Sequence, residues 1–287
     1  MLGDAIIIPL NIVIFTPKLQ LLIPKIVISE AAMKKGTDIF YERHHDENKN
    51  ICIFADGAHC DLHFHRSIEV LLLTEGEVKA EVGEQTFLAQ KDEIIFVHNY
   101  YPHRLTLLGG PFRKIVLIIP PSFSDDFDRA FRQSTLPALL DDRAFNRTLL
   151  PLFESLAAEK QGSSLILKGY LNVLFGKLLD HYPTVPIRLD RNVDLMARIL
   201  RYIDCHYTEK LTLDSLAQEF GYSKYYFSRL FNTYVPGSLS NYVNLIRLRE
   251  FNRLAKAGTD NVCELAFACG FESMSTFYRY AKQYNRK

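Results

Sequence analysis

No Cys-x-x-Cys pair occurs among the five cysteines, Cys52, Cys60, Cys205, Cys263 and Cys269. Their odd number and scattered spacing argue for reduced thiols in a cytoplasmic protein. No apolar run reaches the ~20 residues that a membrane span needs. The Ile- and Leu-rich start comes nearest, but Asp4, Pro9, Pro17, Lys18, Pro24 and Lys25 interrupt it. That start also lacks a basic region ahead of its apolar part, which makes it a poor signal peptide. Met33 and the "KKGTDIFYERHH" after it read as an ordinary soluble beginning, so residues 1–32 are expected to be an uncertain extension or a mis-assigned start. An excess of charge is missing too. The net charge is +1, so the whole-chain balance names no partner.

What is present is an ordinary globular composition, 48% hydrophobic and 23% charged, over 287 residues, enough for two domains with cores. Charge is uneven along the chain. Residues 193–287 carry 13 Lys/Arg and 9 Asp/Glu, a net of +4, whereas residues 1–192 carry 21 and 24, a net of −3. A C-terminal half that meets an anion fits this asymmetry. Residues 37–120 read as β: short apolar runs such as "NICIFA" and "FRKIVLIIP" recur between turn residues, the pattern of a sandwich or barrel. From Ser122 the apolar spacing becomes helical. Leu165, Leu167, Tyr170, Leu171, Leu174, Phe175, Leu178 and Leu179 form one broad face, which must pack on its own barrel or on a second subunit. The expected division is a barrel over 33–121, a helical dimerisation segment over 122–182, a Pro-bearing linker over 183–192 and an all-helical domain over 193–287.

The last hundred residues contain a repeat. Leu216, Ala217, Gly221 and Tyr222 match Leu265, Ala266, Gly270 and Phe271, each 49 positions on. Ser223, Phe227 and Arg229 match Ser273, Phe277 and Arg279 at 50 positions. A short helix with a small Ala, a Gly suited to the left-handed turn and a Ser cap before a second helix make a helix-turn-helix. In the first unit Lys224, Tyr225, Ser228 and Arg229 face outward; in the second Met274, Ser275, Tyr278 and Arg279 do. Such side chains reach base edges and phosphates in the major groove.

Residues 193–287 thereby resemble the DNA-binding domain of the AraC/XylS transcription regulators. The likeness includes the connecting helix "SNYVNLIRLREFNRLAKAG", where Tyr242, Arg247, Leu248 and Leu254 hold the family's positions. It implies two helix-turn-helix units whose recognition helices enter double-stranded DNA about one turn apart. Carried over, the contacts are Lys224, Tyr225, Tyr226, Ser228 and Arg229 in the first helix, and Met274, Ser275, Thr276, Tyr278 and Arg279 in the second. The chain departs from the family pattern near its end. Ala281 stands where Phe is expected, which removes ~2–4 kcal/mol of burial if nothing refills the site and predicts a weaker second unit.

Upstream, Gly57, His63, His65, Glu69 and Gly76 satisfy the spacing G-x5-H-x-H-x3-E-x6-G, which resembles the first motif of the cupin barrels. "KDEIIFVHNYYPHRL" resembles the second loosely and supplies His103, without that motif's turn Gly or following Asn. His63, His65, Glu69 and His103 are expected to converge inside the barrel. Three roles stay open: ligands of a divalent transition metal such as Zn, Mn, Fe or Ni, polar contacts to a small organic effector, or internally satisfied barrel residues. His44, His45, His59 and His98 are expected in loops or at the surface, and Cys60 as a packed thiol.

AraC-type regulators commonly carry a cupin-like sensor ahead of the DNA-binding domain, and this layout matches. The expected fold is therefore an α+β multidomain chain: a cupin-like β-barrel, a helical dimerisation segment and an all-α double helix-turn-helix. The expected function is a cytoplasmic, homodimeric transcription regulator, an activator, controlled by an effector for which a sugar is one polar candidate. RNA polymerase is a further expected partner, and no membrane is. Two alternatives remain. One is a metal-dependent cupin oxygenase or isomerase with a helical appendage; the other is a DNA-binding protein whose barrel only dimerises.

Overall fold

The computed structural model describes residues 39–42, 52–54, 60–130, 134–159, 164–255 and 261–284. Residues 1–32, Gly57, His44, His45 and His59 lie outside them. The chain divides into two compact units, one of residues 35–200 with 225–236, the other holding residues 201–224 and 237–287.

The first unit contains strands β1 (Phe40–Tyr41), β2 (Cys52–Phe54), β3 (Cys60–Phe64), β4 (Ile68–Glu75), β5 (Glu77–Val82), β6 (Gln85–Gln90), β7 (Ile94–Val97), β8 (His103–Leu107) and β9 (Arg113–Ile119). After helix α1 (Pro121–Ala130) come β10 (Ser134–Thr135), β11 (Leu139–Leu140), α2 (Arg143–Ala158), α3 (Ser164–His181), β12 (Val185–Pro186) and α4 (Arg191–His206). Two five-stranded sheets form, in the orders β1-β3-β8-β5-β6 and β11-β7-β4-β9-β2.

The sequences of β4 and β5 show how the layers stack. On β5, Val78, Ala80 and Val82 enter the barrel core while Glu77, Lys79 and Glu81 between them do not, the alternation of a half-buried strand. On β4 the six residues from Ile68 to Leu73 are all buried, and all but Glu69 are apolar, because both faces are covered. Leu71 and Leu73 join the barrel core; Ile68, Val70 and Leu72 join a second core with Phe153 of α2 and Leu171, Leu174 and Leu178 of α3. Gly76 links these strands at φ +79°, and a Cβ there would lie 2.2 Å from the Pro111 carbonyl oxygen, so this motif position takes only glycine.

Two short strands and one side chain differ from expectation. Leu139–Leu140, inside the segment read as helical, extends the second sheet by pairing with Ile94 and Ile95. Val185–Pro186, inside the expected linker, pairs with Ser134–Thr135. Two-residue strands are too short to produce a readable periodicity. On α3, Leu167, Leu171, Leu174 and Leu178 are buried on the barrel's own sheet, whereas Leu165, counted on the same face, is 79% exposed.

The second unit includes α5 (Leu213–Glu219), α7 (Leu239–Ala255), α8 (Val262–Ala268) and α9 (Met274–Tyr284); α6 (Lys224–Tyr234) follows α5 in sequence. Thr212 caps α5 by accepting from Ser215 N, and Asn261 caps α8 by accepting from Cys263 N and Glu264 N. The two turns repeat bond for bond: Tyr222 N donates to Ala217 O, and Phe271 N to Ala266 O. Phe251 of α7, Ala266 of α8 and Phe277 and Tyr280 of α9 share one core, with Ala281 packed at its edge. Buried Arg247 donates to the carbonyls of Tyr207 and Glu209, both at 2.7 Å, and so ties α7 to the loop before α5.

Candidate functional site: a buried histidine cluster and two recognition helices

Strand geometry brings the four motif residues together. His63 and His65 stand two positions apart around the end of β3, so they share a side of the chain. His103 opens β8 directly opposite His63. Glu69 lies on β4, in the other sheet, on the same face as Leu71 and Leu73 of the barrel core. All four are buried, and their ligand atoms lie within 4.8 Å of one another. The imidazole centroids are 4.2 Å apart for His63 and His103, 5.1 Å for His65 and His103, and 5.5 Å for His63 and His65.

Each ring has a backbone acceptor at Nδ1 and a carboxylate within ion-pair distance of Nε2, hydrogen-bonded in the case of His65. The Nδ1 atoms lie 2.7, 3.1 and 3.0 Å from the carbonyl oxygens of Asp61, Ser67 and Tyr101 for His63, His65 and His103 respectively. A carbonyl only accepts, so Nδ1–H donates in each case. The Nε2 atoms face carboxylates: His65 and His103 lie 3.2 and 3.4 Å from the two oxygens of Glu69, and His63 lies 3.0 Å from Glu42 Oε2. A neutral imidazole carries one N–H, already used. Each Nε2 therefore needs a second proton or another cation beside it.

Charge in this pocket is divided unequally. Burial alone would raise the Glu69 pKa, but the facing rings of His103 and His65 hold it well below the usual range. On His63, burial works against protonation, and the Glu42 carboxylate outweighs it, raising the pKa. Burial, and next the charge of His63, lowers that of His103. Three imidazolium rings packed this closely would repel one another; three imidazoles and a carboxylate are a donor set that would hold a divalent transition ion. Cys60, whose Sγ accepts from Leu105 N, is a packed thiol pushed up to about 11 by burial.

The two recognition helices present different mixtures. On α6, Lys224, Tyr225 and Arg229 are exposed, and Lys224 Nζ is 2.7 Å from Asp214 Oδ2. Tyr226 is half-buried, its hydroxyl donating to Asn192 Oδ1, and half-buried Ser228 accepts from Asn232. On α9, Ser275, Tyr278 and Arg279 are exposed, Arg279 lying over the Tyr280 ring. Thr276 accepts from the capping hydroxyl of Ser273, and Met274 packs against the helical core. Tyr225 and Arg229 share a face four residues apart, as do Ser275 and Arg279.

Sequence reading missed Glu42, whose approach to His63 depends on β1 lying parallel to β3. It also placed His98 at the surface or in a loop; His98 follows β7 in a loop but is 7% exposed. Nearby, buried Tyr100 takes φ +65°, unusual for a bulky residue, and its N–H donates to His65 O at 2.7 Å. That bond pins the end of the histidine strand.

Residues 216–286 match the family described as a helix-turn-helix domain, and residues 48–175 that described as an AraC-like ligand binding domain. The chain is 30% identical to the multiple antibiotic resistance protein MarA of Escherichia coli (strain K12) over 96 residues, 33% of this chain and 76% of MarA. It is 23% identical over 219 residues, 76% of this chain and 82% of the relative, to the uncharacterized HTH-type transcriptional regulator YobQ of Bacillus subtilis (strain 168). The structure of ToxT from Vibrio cholerae aligns over 81% of this chain and 93% of its own, with 17% identity and a TM-score of 0.40. With an AraC-like ligand binding domain followed by a double helix-turn-helix, the chain belongs to the AraC family of DNA-binding transcription regulators.

Proposed function

We propose that the protein is a cytoplasmic one-component regulator whose barrel senses a divalent transition metal at His63, His65, Glu69 and His103, and whose helices α6 and α9 bind an operator. The division into domains is taken as barrel 33–121, helical segment 122–182, linker 183–192 and DNA-binding domain 193–287. The observation that carries the sensing role is the convergence of three buried imidazoles and one buried carboxylate, ligand atoms within 4.8 Å of one another, the donor set of a divalent transition ion. Barrel packing supports an ion over a bulky effector such as a sugar at this spot: Leu71, Leu73, Val78, Leu105 and Ile118 fill the interior beside it. A bound ion would add charge and fix the ring orientations there. It controls DNA binding only so far as it binds the DNA-competent arrangement with different affinity.

The exposed side chains Tyr225, Arg229, Ser275, Tyr278 and Arg279, with Lys224 once it leaves Asp214, are the proposed DNA contacts. Tyr226, Ser228, Thr276 and Met274 support the helices more than they reach outward, since their polar or apolar ends already have partners within the chain. Homodimerisation through α3 is supported by exposed Leu165, Ile166 and Val173. Activation by contact with RNA polymerase rests on the family resemblance. Among the described residues no helix is long and apolar enough to cross a membrane, and regulators as relatives favour a non-enzymatic role.

The test is a titration of the full chain with Zn, Mn, Fe and Ni ions, read by metal analysis after dialysis and by binding to DNA from its own upstream region. Stoichiometric metal, lost in His63→Ala, and metal-dependent DNA affinity are expected. No retained metal with unchanged DNA affinity would sink the sensing role; intact DNA binding in Arg229→Ala would sink the contact assignment.

A further inference from the structure

A cavity lies beside the histidine cluster, since its lining residue Val82 pairs with His103 and its lining residue Tyr101 accepts from His103 Nδ1 through the backbone carbonyl. It encloses about 470 Å³ in the first unit, within the usual range of small-molecule sites. Its walls come from the β5–β6 hairpin, the end of β7 and the loop after it, the segment from Thr135 of β10 to Ala138, and the stretch 185–188. Val82, Phe96, Leu136, Ala138 and Pro186 make most of that wall apolar.

Its polar groups include a buried hydroxyl and two opposite charges. Thr135 is 4% exposed, and its buried Oγ1 has no hydrogen-bond partner among the described residues. A hydroxyl in that state costs free energy unless something supplies the missing bond. At the rim stand one carboxylate and one guanidinium, Glu84 and Arg188, both exposed. Neither makes an ion pair among the described residues. Gln85, Tyr101 and buried His98 complete the polar lining.

The geometry points to a binding site for a small zwitterion with an apolar body, the chemistry of an apolar α-amino acid or a short apolar peptide. Arg188 takes the carboxylate, Glu84 the ammonium group, and the apolar side chain fills the space beside Phe96 and Leu136, within reach of the Thr135 hydroxyl. One cation and one anion at the rim of an apolar cavity discriminate against monoanions and monocations, which leave one of the two charges unmatched.

The site has a structural consequence within its own unit. Val185, Pro186 and Arg188 lie on the stretch between α3 and α4, held by the β10–β12 pairing and by the bond from Arg188 N to the Tyr101 hydroxyl, 2.7 Å. A ligand held between Arg188 and the barrel wall adds a further tie, so occupancy fastens this stretch down.

Isothermal titration of the full chain with L-phenylalanine, L-leucine and Leu-Leu tests the site and separates the free amino acid from the peptide. Binding of at least one is expected, weakened tenfold or more when its amine is acetylated or its carboxylate amidated. Arg188→Gln and Glu84→Gln, both at exposed positions, are each expected to weaken it tenfold or more, and the ligand is expected to slow tryptic cleavage after Arg188. No binding at millimolar ligand overturns the proposal, as does equal binding of the N-acetyl and amide forms or unchanged binding in both variants. The titration uses neither metal nor DNA, so its outcome is independent of the sensing and operator roles.

Discussion

Glu69 and His103 face each other across the two sheets of the barrel, carboxylate oxygen to Nε2 at 3.4 Å. Their strands, β4 and β8, are not neighbours in either sheet. The pair therefore spans the barrel interior, and its geometry depends on how the sheets close on one another.

That closure makes His103 costly to remove. His103→Ala removes one of the rings that face the buried, ionised Glu69, and a charge left less compensated in this way costs up to about 3–5 kcal/mol. Urea unfolding of the metal-free protein measures this. A loss under about 1 kcal/mol would mean that Glu69 finds water or takes up a proton.

Arg229→Ala and Arg279→Ala are each expected to weaken DNA binding at every salt concentration. Each also lowers the slope of log affinity against log salt by about one if it contacts a phosphate. Ala281 at the edge of the second helical core predicts the smaller loss for Arg279→Ala. Equal losses would show that Tyr280 and its neighbours compensate for the missing aromatic ring.

The two turn glycines separate conformation from contact. Gly221 has φ +73° with open space around it, so Gly221→Ala carries only the left-handed penalty of about 1–2 kcal/mol. Gly270 has φ +88°, and a Cβ there would stand 2.6 Å from the Thr208 Cα, so Gly270→Ala must also move backbone. Thermal unfolding is expected to rank Gly270→Ala clearly below Gly221→Ala; the reverse order would contradict the repeat's packing.

Ile166→Asp and Val173→Asp place charge on the exposed face of α3 and are expected to turn a dimer into monomer in sedimentation equilibrium, with little change in helix content. A dimer that survives both would move the interface off this helix.

Cys60 is expected to resist alkylation at pH 8, because burial pushes its thiol up to about 11 and the reactive thiolate is scarce. Exposed Cys205 and Cys263 react first. Mass spectrometry after brief iodoacetamide treatment decides this; early labelling of Cys60 would mean that the barrel opens there.

Local pattern alone revealed a good deal. The paired helix-turn-helix units were legible because each is built from contacts within some twenty residues, and their Leu-Ala, Gly and Ser signals recur at 49 and 50 positions. The histidine cluster was legible as a spacing, since a strand's period of two puts His63 and His65 on one side. Tertiary structure alone decided the rest. Glu42 reaches His63 through a parallel strand pair, His98 is buried by segments far along the chain, and α3 turns Leu171 inward while leaving Leu165 out. The cavity beside Thr135 is assembled from stretches about fifty residues apart. None of these leaves a periodic trace, because periodicity records which side of one element is buried and carries no information about which distant element does the burying.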